Sequence, residues 1–255
     1  MDPERRTPQT LQTVDRALTV LEAVATAEAA PTSRDLAARL ELNVTTVYHL
    51  VNTLTGRGYL HRDAAGRLHL GAALNNLYAR FREATPFLRE VHEVLEQLVA
   101  DAGETAWYSQ LENGQVIVRG LVEGSRALKV GGLYLGLAGN EHRRASGRAI
   151  LPHLDAAERD AILARSTASL PRGERVSALE EFEEQAALTL ERGWSVDDQG
   201  SDEGIMSLGA PVFGPGGRVV GAVGMVGPES RMRDGLGSRV RTLLDAASML
   251  TARRR

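Results

Sequence analysis

The sequence contains no cysteine, and this absence excludes several kinds of chemistry at once. Disulfide bonds, thiolate zinc sites and cysteine nucleophiles cannot form, and a chain without cysteine suits a reducing compartment. The sequence also has no run of about 18 apolar residues, the length that a membrane-spanning helix needs. The first ten residues, MDPERRTPQT, lack the apolar core of a signal peptide. We therefore expect a cytoplasmic protein with no membrane partner.

Aromatic residues make up only 4% of the chain, but 43% of its residues are hydrophobic and 25% are charged, which is typical of a globular protein. A length of 255 residues allows one large domain or two modest ones. The net charge of −3 is unevenly divided, because residues 1–82 carry +2 and the remainder carries −5. This asymmetry favours a polyanion partner only weakly, since most charged stretches are solvated surface.

Two helices are predicted before residue 41. A short helix over about residues 33–40 is indicated by Thr32 and Asp35, which have the spacing of an N-terminal capping box. An amphipathic helix over about residues 12–27 precedes it, because apolar residues recur there at helical spacing: Val14, Leu18, Leu21 and Ala25.

A third helix and a hairpin are predicted to follow. Asn43 is a favourable N-cap, and Gly56 and Gly58 end the helix. The segments YLHR and RLHL flank DAAG and are predicted to pair as a hairpin. Helix, helix, tight turn, helix and hairpin is the order of a winged helix-turn-helix, which we assign to residues 11–71, after a disordered tail over residues 1–10. The third helix is predicted to bury Val47, Leu50, Val51 and Leu54.

The polar face of the third helix suits the major groove of DNA. Hydroxyl and amide groups can reach base edges or phosphates, and threonine methyls can touch thymine. The hairpin arginines suit phosphate or the minor groove. A packing domain or a protein-binding winged helix remains open, and the helix face lacks the Arg or Lys that usually reads guanine. The predicted DNA-contacting residues are Arg34, Asn43, Thr45, Thr46, Tyr48, His49, Asn52, Arg62 and Arg67.

A linker helix is predicted over residues 72–84, before a second domain over residues 85–255. Its apolar stripe is expected to pack either on the wing or on the same helix of a second subunit. The stripe consists of Leu74, Leu77, Tyr78 and Phe81.

The second domain is predicted to be an antiparallel sheet with flanking helices, so that the whole chain has an α+β fold. Asn113-Gly114 suits a type I′ turn between the strands TAWYSQLE and QVIVRGLV, and IMSLGAPVF pairs with RVVGAVGMV. RALKV and GWSV are further strands. Helices are predicted from Ser146 to about Leu154, after Asp155, from about Ser177 to Arg192, and from about Gly235.

Strand alternation gathers small residues on one face of this sheet. Ser207 and Gly209 lie opposite the face that holds Met206 and Leu208, and Gly224 shares a face with Ala222 and Val226. Small residues leave room above a sheet, so either a covering helix or a ligand is expected there.

In its order of motifs the chain resembles the IclR family of bacterial transcriptional regulators. The matching stretches are TVDRALTVLEAV, TSRDLAARLELNVTTVYHLVNTLTGRGYL, ASGRAIL and RGWSVDDQGSDEGIMSLGAPVFGPGGRVVGAVGMVGP, which span about residues 12–252. The resemblance implies a winged helix, a linker helix and a GAF-like effector domain. It implies as partners double-stranded operator DNA, a small organic effector, and a second copy in a homodimer or dimer of dimers. No cofactor or metal is expected. His49 stands at a position that is often basic in the family.

The resemblance also implies an effector pocket. Asp197 matches the family's acidic pocket residue, and Ser207 replaces its common cysteine. Serines of small-oxyacid sensors are replaced by Gly224 and Val226, which removes hydrogen-bond donors. A small carboxylate needs several donors, because a buried polar group without a partner costs about 1–3 kcal/mol. Since this pocket has lost such donors, we expect a larger and more apolar effector than glyoxylate or pyruvate. The remaining implied pocket residues are Leu128, Ala145 and Ser146.

The backbone amides at the start of the helix at Ser146 could still donate hydrogen bonds to an anion. An aromatic or amphipathic acid is therefore the expected effector class. Trp107, Tyr108 and Tyr134 are available to line the pocket or to pack in the core.

An enzyme is the main alternative class. Asp197 and Asp198 are candidates for general acid and base, and His142 precedes Ser146 by four residues. The sequence has no G-x-S-x-G nucleophile elbow and no cluster with metal-ligand spacing. We therefore expect no enzymatic activity.

Overall fold

The computed structural model describes residues 11–27, 29–126 and 131–254, and the chain divides into two compact units, residues 1–84 and 85–255. In the first unit the described elements are α1 (Gln12–Ala25), α2 (Ser33–Arg39), α3 (Val44–Gly56), β1 (Leu60–Arg62), β2 (Leu68–Leu70) and α4 (Ala73–Ala84). This order confirms the predicted winged helix followed by a linker helix.

Short-range hydrogen bonds explain where α2 and α3 begin. The Thr32 hydroxyl accepts from the Asp35 amide, and the Asp35 carboxylate accepts from the Thr32 amide, which completes the predicted capping box. Asn43 Oδ1 accepts from the Thr45 amide at 2.8 Å, so the predicted cap of α3 is confirmed.

The core of the first unit uses a different face of α1 from the one marked by the predicted stripe. The α1 residues packed in the core are Val20, Ala23 and Val24, whereas Val14 and Leu18 are each 54% exposed. The buried residues of α3 are those predicted from its periodicity. Helix α1 therefore has two apolar faces, and only one of them is covered within the unit.

The second unit consists of a sheet between two helical layers. Its described strands are β3 (Thr105–Glu112), β4 (Gln115–Val122), β5 (Ser195–Asp198), β6 (Ile205–Phe213) and β7 (Val219–Pro228). They pair antiparallel in the order β4-β3-β7-β6-β5. The helices are α5 (Pro86–Ala102), α6 (Ala145–Ile150) with a 3₁₀ turn (Leu151–His153), α7 (Ala156–Ser166), α8 (Arg172–Arg192), α9 (Glu229–Arg233) and α10 (Leu236–Arg253).

Each face of the sheet has its own apolar core. Helices α5 and α10 cover the face that carries Met206, Leu208, Val223 and Met225. Helices α6, α7 and α8 contribute to a core with Trp107, Ala222 and Val226 on the other face. The predicted division of strand residues between the two faces is therefore confirmed.

The structure departs from the predicted elements at two helices, and one predicted strand falls largely outside the described residues. Helix α8 begins at Arg172, so the predicted start near Ser177 is wrong. Pro171 precedes the helix, and proline suits the beginning of a helix. The Arg175 guanidinium also stabilises this start by donating to the carbonyls of the preceding loop at Thr167, Ala168 and Leu170. The short helix α9 was not predicted, and residues 127–130 of the predicted strand RALKV lie outside the described residues.

Gly224 lies beneath the indole of Trp107, its partner on the neighbouring strand. A Cβ at position 224 would come 2.1 Å from Trp107 Cζ2 and 2.3 Å from the Leu208 carbonyl oxygen. The chain's own indole therefore occupies the room left by this glycine.

Gly224→Ala is expected to lower the free energy of unfolding by at least about 1–3 kcal/mol, because a strand backbone and a buried ring must both move. Thermal unfolding of the full chain, followed by near-ultraviolet circular dichroism, measures the loss. The control is Gly173→Ala, where a Cβ would meet open space on α8 and alanine is the better helix former. Equal unfolding temperatures for the two variants would contradict the tight contact.

Candidate nucleic-acid interface and candidate ligand cavity

The exposed face of α3 is a continuous polar surface. Thr45, Tyr48, His49 and Asn52 are exposed and Thr46 is half-buried, while the opposite side of the helix fills the core. The rings of Tyr48 and His49 meet edge to face at 6.3 Å between centroids. Hydroxyl, amide and imidazole groups are thus held on a rigid helix whose orientation is set by its buried residues.

The wing is held in shape by its own polar residues. The Asp63 carboxylate accepts from the amides of Ala65 and Arg67, and its other oxygen lies 3.1 Å from His69 Nε2. The hydrogen bond with His69 lowers the pKa of Asp63, and backbone hydrogen bonds act in the same direction. His69 stacks on His61 at 5.0 Å between ring centroids. These contacts fix the turn that carries the wing arginines.

Both wing arginines are exposed and make one hydrogen bond each to the body of the unit. Arg62 Nη2 donates to Ser33 Oγ at 3.3 Å, and Arg67 Nη1 donates to the Ala30 carbonyl at 3.1 Å. A guanidinium has five N–H donors, so each retains donors for a phosphate. Within one unit the structure thus gathers the predicted DNA-contacting residues on α2, on α3 with its cap, and on the wing. Their contact with DNA stays a prediction.

A cavity of about 310 Å³ lies in the second unit, on the small-residue face of the sheet beside the start of α6. Its wall combines apolar and polar side chains, with backbone from the loop that precedes α6. The residues that line it are Trp107, Gly131, Gly132, Leu133, Leu137, Asn140, Arg144, Ala145, Ser146, Asp197, Ser201, Asp202, Ile205, Ser207 and Val226.

Trp107 and Ser207 form one wall as a pair. Trp107 Nε1 donates to Ser207 Oγ at 3.2 Å, and the serine hydroxyl donates to the Met225 carbonyl at 3.2 Å. The single hydroxyl proton of Ser207 is therefore used within the protein. Ser207 orients the indole, and Trp107 presents an apolar ring to the cavity.

Asp197 combines a place in the wall with a role in the β5–β6 loop. Its carboxylate accepts from the amides of Gly200 and Ser201 at 2.9 and 3.2 Å, and from the Ser201 hydroxyl at 2.5 Å. Burial raises the pKa of Asp197, while these hydrogen bonds and the charge of Arg148 act in the opposite direction. The Asp197 carboxylate therefore stabilises the β5–β6 loop, which forms one side of the cavity.

Of the predicted pocket residues, five lie at the cavity wall: Ala145, Ser146, Asp197, Ser207 and Val226. Gly224 is absent from the described lining because Trp107 covers it, so any effect on a ligand would act through the indole. Leu128 lies outside the described residues. Helix α6 ends at Ile150 and a 3₁₀ turn continues it to His153, close to the predicted end near Leu154. Tyr108 is buried in the core of the opposite face.

Arg144 is one of the wall residues that sequence reasoning missed, and it is the basic one among the described lining residues. It belongs to the run HRRASGR, two residues before the predicted helix start at Ser146, and it occupies the N-cap position of α6. Burial lowers the pKa of its guanidinium, and the carboxylates of Glu141 and Asp197 act in the opposite direction. A basic residue immediately before a glycine-containing helix start was the only available signal.

Two of the candidate catalytic residues, His142 and Asp198, lie outside the described lining of the cavity, whereas Ser146 and Asp197 belong to it. His142 Nδ1 lies 2.7 Å from Ser166 Oγ, and Asp198 accepts from Arg233 at 2.6 Å. The described residues contain no group of three or more His, Asp or Glu side chains placed to hold a metal ion. A search of the same residues finds no helix with the length and apolar character to cross a membrane.

Comparison with known proteins relates both units to one family. The IclR helix-turn-helix domain matches residues 13–64, and the C-terminal domain of the bacterial transcriptional regulator IclR matches residues 82–252. A glycerol operon regulatory protein from Streptomyces griseus is 30% identical over 234 residues, covering 87% of each chain.

Solved structures share the fold. An IclR transcriptional regulator from Alicyclobacillus acidocaldarius has a TM-score of 0.77 at 21% identity, covering 96% of this chain and 99% of that one. An IclR homolog from Microbacterium hydrocarbonoxydans, complexed with 4-hydroxybenzoate, has a TM-score of 0.73 at 21% identity, covering 94% and 98%. The chain belongs to the IclR family of bacterial transcriptional regulators, with an N-terminal helix-turn-helix domain and a C-terminal ligand-binding domain.

Proposed function

We propose that this protein is a non-enzymatic regulator whose winged helix binds operator DNA and whose cavity binds a small organic effector. The observation that supports this most directly is the presence, in one chain, of an exposed polar helix in a winged helix-turn-helix and of a cavity in the second unit. Each half of the proposal rests on its own surface, so each can be tested alone.

DNA binding is proposed to use α3 in the major groove and the wing on the backbone. The polar face of α3 is free of core contacts, and the wing arginines lie beside the start of α2. Phosphate contacts by Arg62 and Arg67 would position the unit, while α3 would read bases.

A homodimer is proposed to form through apolar residues of the first unit. Leu18 on α1 and Leu77 on α4 are 54% and 53% exposed, and Leu11, Val14 and Tyr78 are also exposed. A small unit that leaves this much apolar surface on two helices has the character of an interaction surface. A second copy with the same surface would cover it by two-fold symmetry, and a dimer of dimers would follow from further contacts.

The effector is proposed to act by shifting the arrangement of the two winged helices in the dimer. A dimer must meet two half-sites at a fixed spacing, so a small rotation changes operator affinity. The ligand can shift this equilibrium only by its different affinity for the two arrangements.

An aromatic or amphipathic acid, larger and more apolar than glyoxylate or pyruvate, is proposed as the effector. Trp107, Ile205 and Val226 supply apolar wall. The Ser207 hydroxyl donates to the Met225 carbonyl and the Asp197 carboxylate accepts from Ser201, so both polar groups are engaged within the protein. The complex of the Microbacterium relative with 4-hydroxybenzoate supports this class by analogy.

His49→Ala is expected to weaken binding to a duplex from the upstream region of the protein's own gene by about 1–3 kcal/mol, because a base contact is lost. Fluorescence anisotropy at several salt concentrations measures it. The logarithm of the affinity should fall by about 0.9 per neutralised phosphate for each tenfold increase in salt. Thr13→Ala, exposed on α1, is the control. Binding that ignores both salt and duplex sequence would count against operator recognition.

The double variant Leu18→Asp, Leu77→Asp is expected to reduce the solution mass at least by half, since two charges per chain would enter an apolar interface. Sedimentation velocity measures the mass. Asn75→Asp, Asn76→Asp adds the same charge at exposed positions of α4 and is expected to keep the wild-type mass. An unchanged mass for the leucine variant would place the dimer contact elsewhere.

Ile205→Trp is expected to remove the response to aromatic acids, because the larger ring fills part of the cavity. Operator release by 4-hydroxybenzoate and related acids is measured relative to each variant's own ligand-free affinity. Ile117→Trp, on β4 and outside the described lining, serves as the matched change. If the two variants respond equally, the effector binds at another site.

A further inference from the structure

Arg144 places a cationic group at the wall of a cavity whose other side chains are apolar groups, hydroxyls, an amide and two carboxylates. It is half-buried at the N-cap position of α6, and it lines the cavity together with Trp107, Leu133 and Val226. Among the lining residues that the structure describes, it is the one basic side chain.

The guanidinium of Arg144 has little compensation within the protein. Its hydrogen bond in the described structure runs from Nη1 to the Gly139 carbonyl at 3.4 Å, at the long limit of such a bond. Among the described residues Arg144 makes no direct ion pair, and the carboxylates of Glu141 and Asp197 act on its charge only at longer range. Asp197, the nearby acid in the wall, gives its oxygens to Gly200 and Ser201.

Arg148, one turn later on α6, differs from Arg144 because its buried guanidinium has several hydrogen-bond and ion-pair partners. It is 4% exposed, and its guanidinium donates to the carbonyls of His142 and Val196 and to Glu181 at 2.5 Å. The structure therefore satisfies the buried arginine that supports the fold, whereas Arg144, at the cavity wall, has most of its donors without a hydrogen-bond partner among the described residues.

A carboxylate is the ligand group that best completes such a site. Arginine stays charged at neutral pH, and its planar fork matches two carboxylate oxygens with charge-assisted hydrogen bonds. Burial lowers the pKa of Arg144, which is the mark of a cation taken from water without a full partner. A bound carboxylate would supply the missing acceptors.

The rest of the wall limits the ligand to one carboxylate. Asp197 and Asp202 also line the cavity, and a second anionic group would be repelled by them. Trp107, Leu133, Leu137, Ile205 and Val226 offer contact to an apolar body.

We infer that Arg144 determines the specificity of this cavity, pairing its guanidinium with the carboxylate of a monocarboxylic acid that has an apolar or aromatic body. This inference rests on the proposed function of the cavity as the effector site. It extends that function, because it names the residue that distinguishes an acid from a neutral compound of the same shape.

The test compares 4-hydroxybenzoate with 4-hydroxybenzamide, and hexanoate with hexanamide, by isothermal titration of the full-length protein. The wild type is expected to bind each acid at least about tenfold more tightly than its amide, because the amide carries no charge for the guanidinium. Arg144→Gln is expected to abolish this preference by weakening the acid alone, and Arg144→Lys to keep part of it. Arg143→Gln removes the neighbouring charge, which lies outside the described lining, and is expected to keep the full preference.

Each outcome decides a different point. Equal binding of acid and amide by the wild type would overturn the role of Arg144 while leaving the cavity as a ligand site, and this comparison needs no variant to fold. An acid preference that survives in Arg144→Gln with an unchanged unfolding temperature would also overturn it. If no member of either pair binds, the proposed ligand class fails, and the role of Arg144 fails with it.

Discussion

The contact between the Trp107 indole and Gly224 joins the central strands of the second unit and shapes one wall of its cavity. The ring lies where any larger side chain at position 224 would stand, and its nitrogen is held by Ser207 on the next strand. Ser207 in turn donates to the backbone of β7 at Met225. One aromatic residue, one glycine and one hydroxyl thus link β3, β7 and β6, and the outer surface of the ring becomes cavity wall.

The small-residue face of the sheet is covered by a helix along one part and borders the cavity along another. A Cβ at Gly209 would come 2.9 Å from the Ala145 carbonyl, so α6 packs directly on β6 there. The Ser195 hydroxyl donates to the same carbonyl at 2.7 Å and fixes the start of the helix. Farther along the face, Ser207 and Val226 remain open to the cavity. Close packing of α6 therefore holds Arg144 and Ser146 at a defined place in the wall.

In the first unit, helices α3 and α1 each bury one face in the core and leave another face exposed. Helix α3 buries one face in the core and leaves a polar face outside. Helix α1 buries Val20, Ala23 and Val24 but leaves Val14 and Leu18 in solvent. An apolar pattern in sequence marks surface that must be covered, and it does not say whether the covering partner is the same chain or a second copy.

The sequence by itself determined the features that depend on neighbouring residues. The caps at Thr32, Asn43 and Asp155 and the turn at Asn113-Gly114 all formed as predicted, because their hydrogen bonds and positive backbone angles involve residues a few positions apart. Strand alternation also assigned the two faces of the sheet correctly. Only the tertiary structure decided that Trp107 covers Gly224, since Trp107 and the serine that holds it are 100 residues apart. It also decided that Arg144 faces the cavity while Arg148 is buried and paired, because the environment of each guanidinium comes from strands and loops distant in sequence.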